Sequence, residues 1–194
     1  MAQEKVSLAN EVLILGIDPG SINAGYALIK VSGKSLTIIK SGTCKLGSKD
    51  DFFTRIKYLT EYFKELAEGL PPFELSMETL IHVKNVASLA KLAQARGAIL
   101  ASLGKGASSV HEYSPNLVKS TVSGYGLSSK QSLEKSLSFM FPNHTFASHD
   151  ESDALAIALC HNFKRGLVQT AGSQALGRKK PKTLKESLKH LNLK

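Results

Sequence analysis

No tryptophan occurs among the 194 residues, and only two cysteines do, Cys44 and Cys160. They lie far apart with no C-x-x-C spacing, which gives no zinc or disulfide signature and predicts reduced, packed thiols in a cytoplasmic setting. Long hydrophobic runs are missing too. The apolar stretch from Val12 to Ile17 is cut off by Asp18 and Pro19. It is too short for a bilayer and lacks a small-residue cleavage site, so neither a membrane anchor nor an export signal is expected. The body of the chain shows no low-complexity segment and no internal repeat. Its 42% apolar and 21% charged residues match one folded globular domain.

Acids are the scarcer charge: 16 Asp and Glu face 25 Lys and Arg, a net +9. The excess is concentrated at one end. Residues 164–194 hold nine Lys or Arg against one acid, Glu186, a net +8, leaving +1 for residues 1–163. Such a segment either strengthens salt-dependent contact with phosphates through counterion release or is a solvated extension that aids solubility. The expected organisation is an N-terminal extension over 1–10, a domain over 11–165, and a basic tail over 166–194 that need not be ordered.

Within the domain, residues 11–18, 25–32 and 35–44 read as three consecutive strands, rich in Val, Ile, Leu and Thr and broken by Pro-Gly-Ser and Ser-Gly-Lys turns. Residues 50–68 switch to helical spacing, with Phe52, Ile56, Leu59, Phe63 and Leu66 on one side, until Gly69 and Pro71-Pro72 stop the helix. A fourth strand follows at 73–78. A long helix over 84–103 carries a stripe of Val86, Ala90, Ala93, Gly97 and Leu100, with Lys84, Lys91 and Arg96 mostly off it. A short strand at 110–113 precedes helices over 115–122 and 129–141. The last helix, 148–165, opens with Ser148-x-x-Glu151, a capping box that satisfies free backbone amides. The order βββαβαβααα predicts an α/β domain: a mixed five-stranded sheet, part antiparallel meander and part parallel, flanked by helices.

Four acids stand out by position. Asp18 ends the first strand, Glu78 ends the fourth, and Asp150 and Asp153 share the first turn of the last helix. If the first and fourth strands are parallel neighbours, Asp18 and Glu78 meet at the strand ends, where ligands gather in such sheets. Residues three apart share a helix face, so Asp150 and Asp153 can point the same way. Each has an ordinary alternative, since Asp before Pro-Gly forms turns and acids suit a helix N-terminus. Their joint occurrence favours a site. Clustered carboxylates either hold protons or bind cations. Hard oxygen donors with no cysteine favour magnesium or manganese over zinc. Two such ions about 3.5–4 Å apart can activate water for phosphodiester hydrolysis. Glu112 could also reach the strand ends. His111, His149 and His161 read as surface or core residues, although His149 adjoins Asp150 and could influence its proton affinity.

Four segments, GIDPGSINAGYALI at 16–29, METLIHVKNVASLAKLAQARG at 77–97, EYSPNLVKSTVSGYG at 112–126 and DESDALAIALCH at 150–161, resemble the RuvC-type Holliday junction resolvases of the RNase H-like superfamily. The likeness spans about residues 11–165. It implies that Asp18, Glu78, Asp150 and Asp153 hold Mg2+, two ions per site, or Mn2+. It also implies that Lys119 and Lys130 lie near the scissile phosphate and that the substrate is a four-way DNA junction. A homodimer would cut it in two symmetric places, working with a branch-migration motor of the RuvA and RuvB type. Lys84 is a further DNA-facing candidate. The family's stacking aromatic falls on Ile81, so either an aliphatic wedge or Tyr125 takes that role. The small residues of the 84–103 helix would be core packing or, by resemblance, part of the dimer contact. The alternatives are a related nuclease acting on RNA-DNA hybrid or branched DNA, an actin-like or sugar-kinase ATPase, and a junction-binding protein without catalysis. The second phosphate-binding hairpin of such ATPases is not found.

Overall fold

The structure is a computed structural model that describes residues 11–47, 49–80, 85–124 and 129–174, with side chains described through residue 165. The elements run β1 (Glu11–Asp18), β2 (Asn23–Ser32), β3 (Ser35–Lys45), α1 (Phe52–Ala67), β4 (Phe73–Glu78), α2 (Val86–Leu103), β5 (Ala107–Tyr113), α3 (Pro115–Ser123), α4 (Lys130–Met140) and α5 (His149–Gln174). The sheet order is β3-β2-β1-β4-β5. The first three strands form the antiparallel meander, while β1–β4 and β4–β5 pair in parallel. This is the mixed sheet expected from the pattern. The fifth strand begins earlier than the predicted residue 110, because its pairing with β4 starts from Phe73 and Ala107.

Period-two alternation divides the sheet into two faces. Leu15, Ile17, Tyr26, Leu28, Leu75 and Met77 pack with Leu59 and Phe63 of α1 and Ile99 and Leu103 of α2. Ile14, Ala27, Ile29 and Val31 pack on the other face with Val118 of α3, Leu133 and Leu137 of α4, and residues 154–160 of α5. Coverage on both faces explains why β2 is buried almost throughout. Both cysteines are buried and free.

The expected stripe on α2 is corrected. The residues turned inward are Ala95, Arg96, Ile99 and Leu103, whereas Val86 is 72% exposed. In an alanine-rich helix almost every side is mildly apolar, so the bulky Ile99 and Leu103 decide the packed face. The chain divides into two compact units, Met1–Phe163 and Lys164–Lys194. In the second, residues 164–174 are helical, so the last helix runs on past the expected 165. Among the described residues no helix is long and apolar enough to cross a membrane.

Candidate active site

Ile17 of β1 stands opposite Met77 of β4, so Asp18 and Glu78 are the next residues along two parallel neighbours. Alternation also fixes their direction. Ile17 and Met77 belong to the α1/α2 face, and therefore Asp18 and Glu78 present their side chains on the face covered by α5. α5 comes unusually close there. A methyl built on Gly16 would meet the Ala154 carbonyl oxygen and stand 2.8 Å from the Ala158 amide, and one on Gly25 would run into the Asp150 carbonyl. These two glycines let the helix backbone lie on β1 and β2, which lowers Asp150 and Asp153 toward the strand ends.

The start of α5 is pinned from several sides. Ser148 Oγ accepts from the Glu151 amide at 3.1 Å. The buried Glu151 carboxylate accepts from the Ala147 amide at 2.8 Å and from Ser41 Oγ of β3 at 2.7 Å. Thr43 and Ser148 also bond through their hydroxyls. The expected capping box is present, with Glu151 reaching one residue further back than usual. Further along α5, the buried His161 bridges Glu74 of β4 at 2.7 Å and the Tyr113 hydroxyl of β5 at 2.6 Å. His111 stacks on it with ring centres 4.2 Å apart. His161 is thus a core residue that ties α5 to two strands.

The four acids fall within range of one another's charge. Burial, then the charges of Asp153, Glu78 and Asp150, push the Asp18 carboxyl up to about 7, with Lys130 opposing. Burial and Asp153 raise Glu78 as well, against Lys119 and Lys130. Asp153 is raised by burial, while Lys130, 3.4 Å away, pulls it down through its charge and hydrogen bond. The mutual carboxylates in turn raise Lys130, with Asp153 the main cause. His149 faces Glu134 of α4, and its charge acts on Asp153.

Among the described residues, no three His, Cys, Asp or Glu side chains converge closely enough to ligate one ion as they stand. Their electrostatic coupling nonetheless reaches across all four. Repulsion holds like charges apart, and a cation is the partner that would offset it. An all-oxygen donor set fits a hard divalent ion. A cleft of about 600 Å³ lies beside His149 and includes none of the four, so concavity alone would not have located the cluster.

Ile81, Lys84 and Tyr125 lie outside the described residues. Lys119 of α3 and Lys130 of α4 both act electrostatically on the acids. Sequence reasoning missed Arg96, which is only 6% exposed. Its guanidinium donates to the Glu78 carbonyl oxygen and to Glu112 Oε1, the latter at 2.5 Å. Lys91 and Gln94 of the same helix are exposed, so nothing local marked Arg96 as buried.

A three-strand meander joined in parallel to two further strands, with a helix crossing the adjoining strand ends, defines an RNase H-like fold. The family model for crossover junction endodeoxyribonuclease RuvC matches residues 14–161. The chain belongs to the RuvC family of crossover junction endodeoxyribonucleases. It is 35% identical over 159 residues to a Rhizobium johnstonii protein of that description, covering 82% of this chain and 94% of the relative. Among solved structures, Thermus thermophilus RuvC matches with a TM-score of 0.71 at 22% identity, covering 81% of this chain and 97% of its own. T. thermophilus RuvC in complex with Holliday junction substrate matches at 0.73 and 23% identity, covering 81% and 96%. These two likenesses establish the fold. The family is one of metal-dependent nucleases.

Proposed function

We propose that this chain resolves four-way DNA junctions by hydrolysing phosphodiester bonds, with Asp18, Glu78, Asp150 and Asp153 holding two Mg2+ ions. The observation that carries it is the electrostatic coupling of Asp18 of β1, which is desolvated, to Glu78 of β4 and to Asp150 and Asp153 of α5. Bound there, magnesium supplies water activation and charge stabilisation at the phosphate; Mn2+, with similar oxygen preferences, would serve as well. The protein residues do the positioning. β1 and β4 present two acids from rigid strand ends, and α5 brings the other two down on Gly16 and Gly25. Lys130 opposes the burial that raises the proton affinity of Asp153 and, with Lys119, offers positive charge to the substrate phosphate.

Two matched incisions need two matched sites, so the working form is a homodimer. The exposed small residues of α2, Ala87, Ala90, Ala93 and Gly97, allow close helix approach and support a contact there. Lys84, Ile81 and Tyr125 are assigned to DNA contact, and a branch-migration motor of the RuvA and RuvB type is the expected partner. The domain is assigned to 11–165 and the basic segment beyond it to phosphate contact, in a protein acting in the cytoplasm.

The test is cleavage of a synthetic four-way junction in Mg2+, with Asp18→Asn, Glu78→Gln, Asp150→Asn and Asp153→Asn beside the parent. Linear duplex and RNA-DNA hybrid serve as competitors. Loss of cutting in all four variants, with junction binding retained in EDTA, is expected. Cutting by Asp18→Asn at the parental rate, or preference for hybrid, overturns the proposal. Truncation after Gln174 keeps the described helix whole and should weaken binding and flatten its salt dependence without moving the cut positions.

A further inference from the structure

We propose that Arg96 and Glu112 form a positioning device that holds Glu78 from behind the sheet; this rests on Glu78 being a metal-binding residue. The geometry is that of a brace. Arg96 projects from α2, on the face opposite α5, and is buried to 6% exposure. A buried guanidinium is costly unless its donors are met. One nitrogen meets the Glu78 carbonyl oxygen and another meets Glu112 Oε1 at 2.5 Å. Glu112 sits on β5 beside Tyr113, whose hydroxyl joins α5 through His161, so alternation turns Glu112 the other way, toward α2.

The consequence for Glu78 follows from its place at the end of β4. Beyond it, the Thr79 amide donates to the Tyr113 carbonyl at 2.9 Å, and Leu80 is already 41% exposed. A strand end of this kind frays unless held. By fixing the Glu78 peptide plane, Arg96 fixes the direction of its Cα–Cβ bond, which points forward to Asp18 and Asp153. Arg96 touches neither substrate nor metal. It is a planar fork donating to two acceptors, which lysine cannot copy, because a single ammonium cannot span a carbonyl and a carboxylate with fixed geometry.

The experiment compares Arg96→Lys and Glu112→Gln with the parent and with Glu78→Gln. Four quantities are read: Mn2+ affinity by EPR titration, the Mg2+ concentration for half-maximal junction cleavage, junction binding in EDTA, and melting temperature. Loss of a residue that orients a metal-binding group typically weakens metal affinity about 10–100-fold. Arg96→Lys should weaken Mn2+ binding and raise the half-saturating Mg2+ by about tenfold, with cleavage recovering at high Mg2+ and junction binding in EDTA within about twofold. Glu112→Gln keeps a neutral acceptor and should shift both in the same direction by less. A lowered melting temperature or lost cleavage in Arg96→Lys with unchanged Mn2+ affinity overturns the proposal, because that is what a merely structural ion pair would give. Unchanged metal affinity in Glu112→Gln overturns the part assigned to Glu112. If Glu78→Gln itself binds Mn2+ as the parent does, the assignment of Glu78 to the metal fails first, and the two failures are told apart.

Discussion

Replacing Asp18 by Asn should abolish cleavage and yet stabilise the metal-free protein at alkaline pH. Asp18 has its proton affinity raised from 3.8 to about 7 by burial and by three neighbouring carboxylates. Between those two values the folded state holds a proton that the unfolded chain has released, so stability falls as pH rises through the window and stays low above it. At about 1.4 kcal/mol per pH unit, the full difference is about 4 kcal/mol. The Asn side chain carries no charge to bury, but it also forgoes the attraction of Lys130. Taking half, about 2 kcal/mol, and about 2–4 °C per kcal/mol for a chain of this size, Asp18→Asn should melt about 4–8 °C above the parent at pH 8 in EDTA. The gap should close as pH approaches 4. Adding Mg2+ at pH 8 should narrow it by stabilising the parent alone. Melting curves by circular dichroism at pH 5, 6, 7 and 8, with and without Mg2+, measure all of this. A variant that melts at or below the parent at pH 8 in EDTA, or a gap that does not change with pH, refutes the reasoning.

Three further outcomes are expected. In Gly25→Ala the new methyl meets the Asp150 carbonyl, a backbone atom that cannot swing aside. This should cost about 1–3 kcal/mol in a melt. Cleavage should fall by about 100-fold as the start of α5 is displaced, and a loss under threefold would show that the close approach is dispensable. Lys130→Gln removes the charge that lowers the proton affinity of Asp153, Glu78 and Asp18. The acid limb of kcat/KM against pH should therefore move to higher pH, and an unmoved limb counts against the coupling. Ser148→Ala deletes the cap on the Glu151 amide and should cost about 1 kcal/mol. Half-saturating Mg2+ should stay near the parental value, since the Glu151 carboxylate keeps its bonds to Ala147 and Ser41.

Much of this was readable from the chain because it depended on local rules. Val, Ile and Leu runs between turn residues marked β1 to β4 to within two residues at either end. The position of Asp18 and Glu78 at strand ends needed just one further step, the parallel pairing of β1 with β4. Arg96 was not readable in that way. Among alanines on a helix it resembles a solvated cation, and what buries it is a carbonyl 18 residues away and a carboxylate 16 away. The glycines were ambiguous for the same reason. Gly16 and Gly25 look like breaks within strands, and their role as seats for α5 exists only once residues 150–158 have folded back over them. His149 was linked by sequence to Asp150, its neighbour along the chain; in space its charge bears on Asp153 and its ring meets Glu134.

The order of the elements along the chain has a consequence for when the enzyme becomes dangerous to DNA. β1 and β4 carry Asp18 and Glu78, but Asp150 and Asp153 arrive on α5, after every strand has been made. A polypeptide still emerging from the ribosome therefore holds half of the four carboxylates, on a sheet whose second face still lacks α5. If the four acids hold the metal as proposed, cutting capacity should appear only once the last helix has settled, and the order of synthesis would itself act as a safety catch against a half-built nuclease.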